Sequence, residues 1–183
     1  MGNERLKMRK IVLFIAMSLD GYIADTDGKV DWLVGQDSDV EGDDSYADFV
    51  NNVDTVIMGW TTYHQIVTDL SPGEWVYDNL QSYVITHRDC SPKSNVTFVS
   101  ENPCTLVNSL KQKNGKDIWI CGGADIVHQL MQNNLIDKYH ISVIPTILGS
   151  GIRLFDVIDQ KTDLRLITSK NSNGIVELVY QKR

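Results

Sequence analysis

Two segments of this chain pass from a β-forming apolar run through glycine into a helix-forming run. One is Thr55-Val56-Ile57-Met58-Gly59-Trp60-Thr61-Thr62; the other is Ile118-Trp119-Ile120-Cys121-Gly122-Gly123-Ala124-Asp125. Glycine lets a backbone approach a ligand closely, and the first turn of a helix offers unpaired N–H groups to an anion. A single junction of this kind is a weak signal, because a plain tight turn explains a diglycine equally well. Two in one short chain point to a ligand with more than one phosphate, held between two helix ends, and so to a dinucleotide. Other chemistry is poorly provided for. His64, His128 and His140 are scattered without metal-ligand spacing, so no metal is expected. The chain has neither a GxSxG elbow nor a Walker A motif, which leaves hydrolase and NTPase readings unsupported. Gly149-Ser150-Gly151 imitates the start of a Rossmann fingerprint, but the third glycine and the following helix pattern are missing, and it reads as a loop.

The elements that must position these junctions follow from the apolar pattern. Lys10 to Ser18 is a continuous run rich in β-branched residues, as a strand buried on both faces requires. Turns at Asp20-Gly21 and Asp27-Gly28 bracket a short extended piece, Tyr22-Ile23-Ala24. Helical spacing of Tyr46, Phe49, Val50 and Val53 predicts an amphipathic helix after the acidic stretch from Asp37 to Asp44. Further strands are expected at Thr55 to Met58, Gln81 to Thr86, Val96 to Val99, Asp117 to Cys121 and Lys138 to Pro145. Helices are expected at Thr61 to Val67, from Pro103 to Lys113, and at Asp125 to Asn133. At the end, Leu164 to Ser169 and Ile175 to Gln181 flank Asn171-Ser172-Asn173-Gly174, a β-hairpin signature. Alternating β and α elements followed by an antiparallel pair predict an α/β fold of three layers with a mixed, mostly parallel sheet. With no repeat or linker in 183 residues, one domain over residues 1–183 is expected.

Composition narrows the function classes. A net charge of −7 argues against nucleic acid or an anionic membrane as partner, since both need a basic face. It leaves room for a phosphorylated cofactor held by a few local cations and backbone amides. No apolar stretch approaches membrane-spanning length, and nothing at the N-terminus reads as a signal peptide. Three widely spaced cysteines, Cys90, Cys104 and Cys121, indicate neither a disulfide framework nor a zinc site, so a reduced, cytoplasmic setting is expected.

Five pieces in register now carry a resemblance. Ser18 to Ala24, Val56 to Tyr63, Tyr83 to Arg88, Cys121 to Gly123 and Pro145 to Gly151 resemble the dihydrofolate reductase-like fold. The likeness is greatest to the branch formed by the C-terminal reductase domain of bacterial riboflavin biosynthesis proteins. The resemblance implies a three-layer α/β/α domain that uses NADPH to transfer hydride to a small pterin-like or pyrimidine-like substrate. It implies that Ala16 and Ile23 flank the nicotinamide, beneath a loop running from Asp20 to Trp32. Gly59, Trp60, Thr61 and Thr62 would meet the pyrophosphate, and Thr86, His87 and Arg88 the adenosine 2′-phosphate. Cys121, Gly122, Gly123, Ala124 and Asp125 would run beneath the cofactor, with Trp32 and Ser142 toward the substrate. Relatives on this branch commonly self-associate, so a homodimer is expected.

Some positions stay open. The buried acid that serves the pterin in dihydrofolate reductases falls on Asp43 by one alignment and on Ser45 by another, with Asp44 between. Asp43 and Asp44 are the candidate proton donors; both equally suit a solvated helix N-terminus. Trp60 stands where the family usually has Arg, and either stacks on the adenine or caps the sheet. Trp32 equally suits a loop anchor, and Asp20 suits an Asx-type turn. A riboflavin pyrimidine reductase would need a basic pocket for its substrate's phosphate. Arg153 is the candidate for it, and no deaminase segment accompanies the reductase-like one. A nucleotide-binding module without chemistry is the third reading.

Overall fold

The structure, a computed structural model, describes residues 8–40, 45–91, 93–157 and 161–183. An eight-stranded sheet runs through it in the order β5-β4-β3-β6-β1-β7-β10-β9. The strands are β1 (Ile11–Ser18), β3 (Val53–Gly59), β4 (Gln81–Ile85), β5 (Val96–Val99), β6 (Asp117–Gly122), β7 (Lys138–Ile144), β9 (Leu164–Ser172) and β10 (Ile175–Lys182). The first six pair in parallel, and β10 and β9 join antiparallel. Helices α1 (Ser45–Val50) and α2 (Trp60–Gln65) pack on one face, where Phe49, Tyr63 and Ile66 meet Val12, Val56 and Trp119. The other face carries α3 (Pro103–Lys111) and α4 (Ala124–Gln132), whose Leu106, Val107, Val127 and Leu130 cover Ile11, Leu13, Ile57 and Ile120. These are the three α/β/α layers, the mixed sheet and the antiparallel C-terminal strands that the pattern predicts.

The central strands are apolar because both faces are covered. In β1, β3 and β6, Ile11, Leu13, Val56, Ile57, Met58, Ile118 and Ile120 are fully or almost fully buried. Asn102 caps α3 by accepting from the Cys104 N–H, and Pro103 begins the helix where its missing donor costs nothing. At the lower pole the buried Arg9 ties three strands together. It pairs with Asp54, donates to Thr55 Oγ1 at 2.7 Å and donates from Nε to the Lys116 carbonyl at 2.6 Å.

Four features differ from the sequence expectation. Val53, placed on the first helix by its spacing, instead opens β3, and the helix ends at Val50. Helix α2 continues as a π-helical turn from Ile66 to Leu70, so the element is longer than its pattern. The hairpin turn is the two-residue Asn173-Gly174, both at positive φ, and the strands extend to meet it. Gly149-Ser150-Gly151 leads into a two-residue strand, β8 (Ile152–Arg153), which pairs with β2 (Tyr22–Ala24). A side chain at Gly151 would sit 2.1 Å from the Ala24 carbonyl oxygen, so only glycine lets the strands pair this closely.

Asp20 does more than form a local turn. Its carboxylate accepts from Ser18 Oγ at 2.6 Å, the Leu148 N–H at 3.1 Å and the Gly149 N–H at 2.7 Å. It therefore clamps the loop after β1 to the loop after β7. The Ser18 hydroxyl, aided by those two amides, holds the carboxyl down from 3.8 to about 2. A carboxyl with a depressed folded-state value stabilises fully above its unfolded value and loses that contribution as pH falls toward the folded one. We expect Asp20→Asn to lower thermal stability at neutral pH. The wild-type and variant curves should converge between pH values of about 4 and 2 in melting experiments; parallel curves over that window would exclude the clamp.

Candidate functional site

Parallel pairing brings the C-terminal ends of β1, β3, β6 and β7 to one rim, the place where open α/β sheets bind ligands. Three adjoining cavities run along it. The middle one, about 370 Å³, is lined by Ile15, Ala16, Ile23, Thr61, Thr62 and the whole turn Cys121-Gly122-Gly123-Ala124-Asp125. It shares Gly28, Thr61 and Gln65 with a cavity of about 480 Å³ around Trp60, His64 and Arg88. On its other side it shares Ala16 and Leu33 with a cavity of about 400 Å³ that holds Tyr46, Ser142 and Glu177. The result is a groove with a narrow, largely apolar centre and a more polar compartment at each end.

The backbone at the diglycine suits close approach. Gly122 has φ +130, a conformation that side chains rarely adopt, and the Gly122–Gly123 peptide is cis. Helix α4 starts directly at Ala124, and its N-cap, Gly123, provides no side chain to occupy the first N–H groups. Gly123, Ala124 and Asp125 all line the middle cavity. The floor beside them is uncharged: burial pushes the Cys121 thiol up to about 11 and raises the Tyr77 hydroxyl, 3.9 Å from its sulfur. Both keep their protons at neutral pH, so this wall suits a neutral ring.

At the first end, the Arg88 guanidinium lies 5.1 Å from the centre of the Trp60 ring. Trp60 and Arg88 thus form one cation–aromatic pair lining the cavity. Thr86 is buried and accepts the Arg88 N–H at 3.1 Å, shaping the turn from behind, whereas His87 is exposed and outside the lining.

At the far end, cross-strand registry sets up a row of three residues. Ala16 pairs with Ser142, and Ser142 pairs with Glu177, so all three share one sheet face. Glu177 is nearly enclosed and each carboxylate oxygen has a partner: the Ser45 hydroxyl donates to Oε1, and His140 Nε2 stands 3.2 Å from Oε2. Phe14 packs edge-on against the His140 ring at 4.5 Å. These contacts tie Ser45, His140 and Glu177 into one hydrogen-bonded unit.

The loop from Gly21 to Val40 roofs the groove and is pinned at two points. Gln65 Nε2 donates to the Gly28 carbonyl at 2.8 Å. The hairpin tip grips the other end: the Asp37 N–H donates to Asn173 Oδ1 at 2.9 Å, and Asn173 Nδ2 donates to the Asp37 carbonyl at 2.8 Å. Between these anchors Leu33 reaches both the middle and the far cavity.

Of the residues singled out from sequence, Ala16, Ile23, Thr61, Thr62 and Cys121 to Asp125 line the middle cavity, and Gly59 caps α2 immediately behind them. Trp60 and Arg88 line the first end, and Ser142 the far end. Trp32 stands apart from the lining and donates from Nε1 to the Lys29 carbonyl, the loop-anchor role. Asp43 and Asp44 lie outside the described residues. Arg153 stacks 4.8 Å over Tyr22 and is absent from the far cavity's lining. Glu177 went unrecognised, although a signal existed: it is an acid on the same strand face as Ile175 and the buried Val179.

Comparison with known proteins gives one consistent family. The sequence model of the RibD C-terminal domain matches residues 9–176. The chain is 43% identical to the Bacillus subtilis protein YwjB over 175 residues, covering 94% of this chain and 97% of YwjB. A candidate riboflavin biosynthesis protein from Shewanella sp. PV-4 superposes with a TM-score of 0.84 at 25% identity, covering 95% of this chain and 99% of that one. The Thermotoga maritima diaminohydroxyphosphoribosylaminopyrimidine deaminase/5-amino-6-(5-phosphoribosylamino)uracil reductase shares the fold. It has a TM-score of 0.70 at 13% identity, over 96% of this chain and 57% of that one.

The hairpin grip on the roof loop is directly measurable. Asn173→Ala removes the acceptor of the Asp37 N–H together with the donor to the Asp37 carbonyl, while the Gln36 N–H keeps the Asn173 carbonyl; the lost acceptor contributes about 1 kcal/mol. Amide exchange at Asp37 should accelerate about fivefold, with the β1 and β6 amides unchanged. An unaltered rate at Asp37 would mean that the loop holds itself.

Proposed function

The chain belongs to the family of the RibD C-terminal domain, and we propose that it works as an NADPH-dependent reductase of a small pterin-like or pyrimidine-like substrate. Family membership supports a reductase. The continuity of the three cavities, with the diglycine turn at the centre, carries the reading. An extended molecule with two charged sections and a flat uncharged end fits that sequence of compartments. Bound NADPH supplies the hydride; the protein's task is to hold donor and acceptor at contact distance away from water.

Each residue's part follows from its place. The uncapped N–H groups of Ala124 and Asp125 and the hydroxyls of Thr61 and Thr62 serve the pyrophosphate. Arg88, laid on Trp60, serves the adenosine end and its 2′-phosphate. Ala16, small and shared by the middle and far cavities, would leave room for the nicotinamide beside the substrate. Leu33, held by the roof loop, keeps water from that junction.

Binding is tested by NADPH and NADH titration, and turnover by loss of NADPH absorbance with dihydropterins and ribosylaminopyrimidines. Binding without turnover across the panel would favour the nucleotide-binding module. Arg88→Ala should weaken NADPH about tenfold or more while changing NADH by less than about threefold; equal losses would remove Arg88 from the 2′-phosphate site. Gly123→Val should abolish NADPH binding with the melting temperature retained, because its Cβ meets only Thr62 Oγ1, at 3.7 Å. Unchanged affinity would take the diglycine out of the cofactor site.

A further inference from the structure

The cavity around Trp60 is lined by two residues that can carry positive charge, and only one of them carries it at every pH. We propose that His64 is the second cation of this compartment and sets how far it prefers an adenosine with a 2′-phosphate over one with a free 2′-hydroxyl. This rests on the reductase reading in taking an adenosine as the occupant.

Helical spacing builds the arrangement. Trp60 and His64 stand four residues apart on α2 and so share one of its faces. Their ring centres are 5.7 Å apart and the planes tilt by 38°. Arg88, beyond the end of β4, approaches the same indole, its guanidinium carbon 5.1 Å from the ring centre. One tryptophan thus has an imidazole and a guanidinium beside it, and all three residues line the cavity. Arg9, Lys111 and His140 each have a carboxylate partner, whereas among the described residues Arg88 and His64 have none.

Charge balance gives the histidine its weight. The other charged residues of the lining are Asp27, in the roof loop, and Asp69, in the π-helical turn after α2. Gln65 holds the Gly28 carbonyl and so keeps Asp27 at the cavity. Lys93 lies over the Tyr63 ring at 5.4 Å and is outside the lining. With His64 neutral, one guanidinium faces two carboxylates, and a phosphate dianion meets a net negative surrounding. With His64 protonated the signs balance, and the phosphate gains a second charge-assisted donor beside Arg88. A free 2′-hydroxyl carries no charge and responds far less to this change.

The pH range separates protein from ligand. Imidazole is the side chain whose charge changes between pH values of about 5 and 8. A phosphate monoester takes up its proton near a pH of about 6. Between pH values of about 8.5 and 6.5 the ligand therefore stays mostly dianionic, and acidification acts mainly on the imidazole. His64, Arg88, Asp27 and Asp69 are all exposed, so salt screens them and the measurement belongs at low ionic strength.

Calorimetry on the full-length protein with adenosine 2′,5′-bisphosphate and adenosine 5′-monophosphate reads the ratio of the two affinities; neither carries the acid-labile dihydronicotinamide. From a pH of about 8.5 to about 6.5 this ratio should rise about twofold or more in the wild type. His64→Gln should hold it at or below its alkaline value. His64→Lys, whose charge does not titrate in this range, should give the raised ratio at both pH values. Asp69→Asn should raise the alkaline ratio by about twofold. A flat wild-type ratio, or a rise that survives in His64→Gln, would overturn the role of His64 and leave the reductase reading standing. If neither nucleotide binds the folded protein at either pH, both readings fall.

Discussion

Parallel pairing of β1 with β6 and β7, and of β6 with β3, is the constraint on which everything else depends. It lines up strand ends whose next residues are Trp60 at one junction and Gly123 at another, and it points both helix starts at one rim. Parallel strands need covered faces, and the two buried clusters supply that cover. The apolar investment in Ile11, Leu13, Ile57 and Ile120 therefore has a functional result. It holds loops from distant parts of the sequence around a single groove.

The antiparallel addition of β10 has a separate consequence. It brings Glu177 beside Ser142 and closes the row that begins at Ala16. The same hairpin sends Asn173 out to grip the roof loop at Asp37. One C-terminal element thus supplies the acid of the far cavity and one anchor of its cover. The opposite anchor comes from Gln65 on α2. A groove assembled this way couples the position of its lid to the two elements that flank it, through hydrogen bonds at Gly28, Gln36 and Asp37.

Charge is distributed along the groove in a graded manner. Arg88 over Trp60 provides positive charge at one end, protonated Cys121 and Tyr77 leave the centre neutral, and Glu177 provides an acceptor at the other end. The chain's overall negative charge masks this order, because a net count carries no position. Asp20 shows the same lesson. Its sequence context suits a local turn, yet its carboxylate bonds amides more than a hundred residues away.

Periodicity and glycine placement in the sequence were enough to determine most of the strands and helices, the layer order and the diglycine junction. Each of these is a local matter of which side chains can be buried and which φ values a residue tolerates. They also mark part of the middle cavity's lining, the turn from Cys121 to Asp125 with Thr61 and Thr62, while Ala16 and Ile23 came through the family resemblance. Only the tertiary structure decided the rest: that Arg88 covers Trp60, that β8 pairs with β2, and that Glu177 stands with His140 and Ser45. Those outcomes depend on strand registry and on contacts between segments far apart in sequence. A one-residue slip of β10 would turn Glu177 to the opposite sheet face, and registry of that kind is set by the packing of the whole sheet.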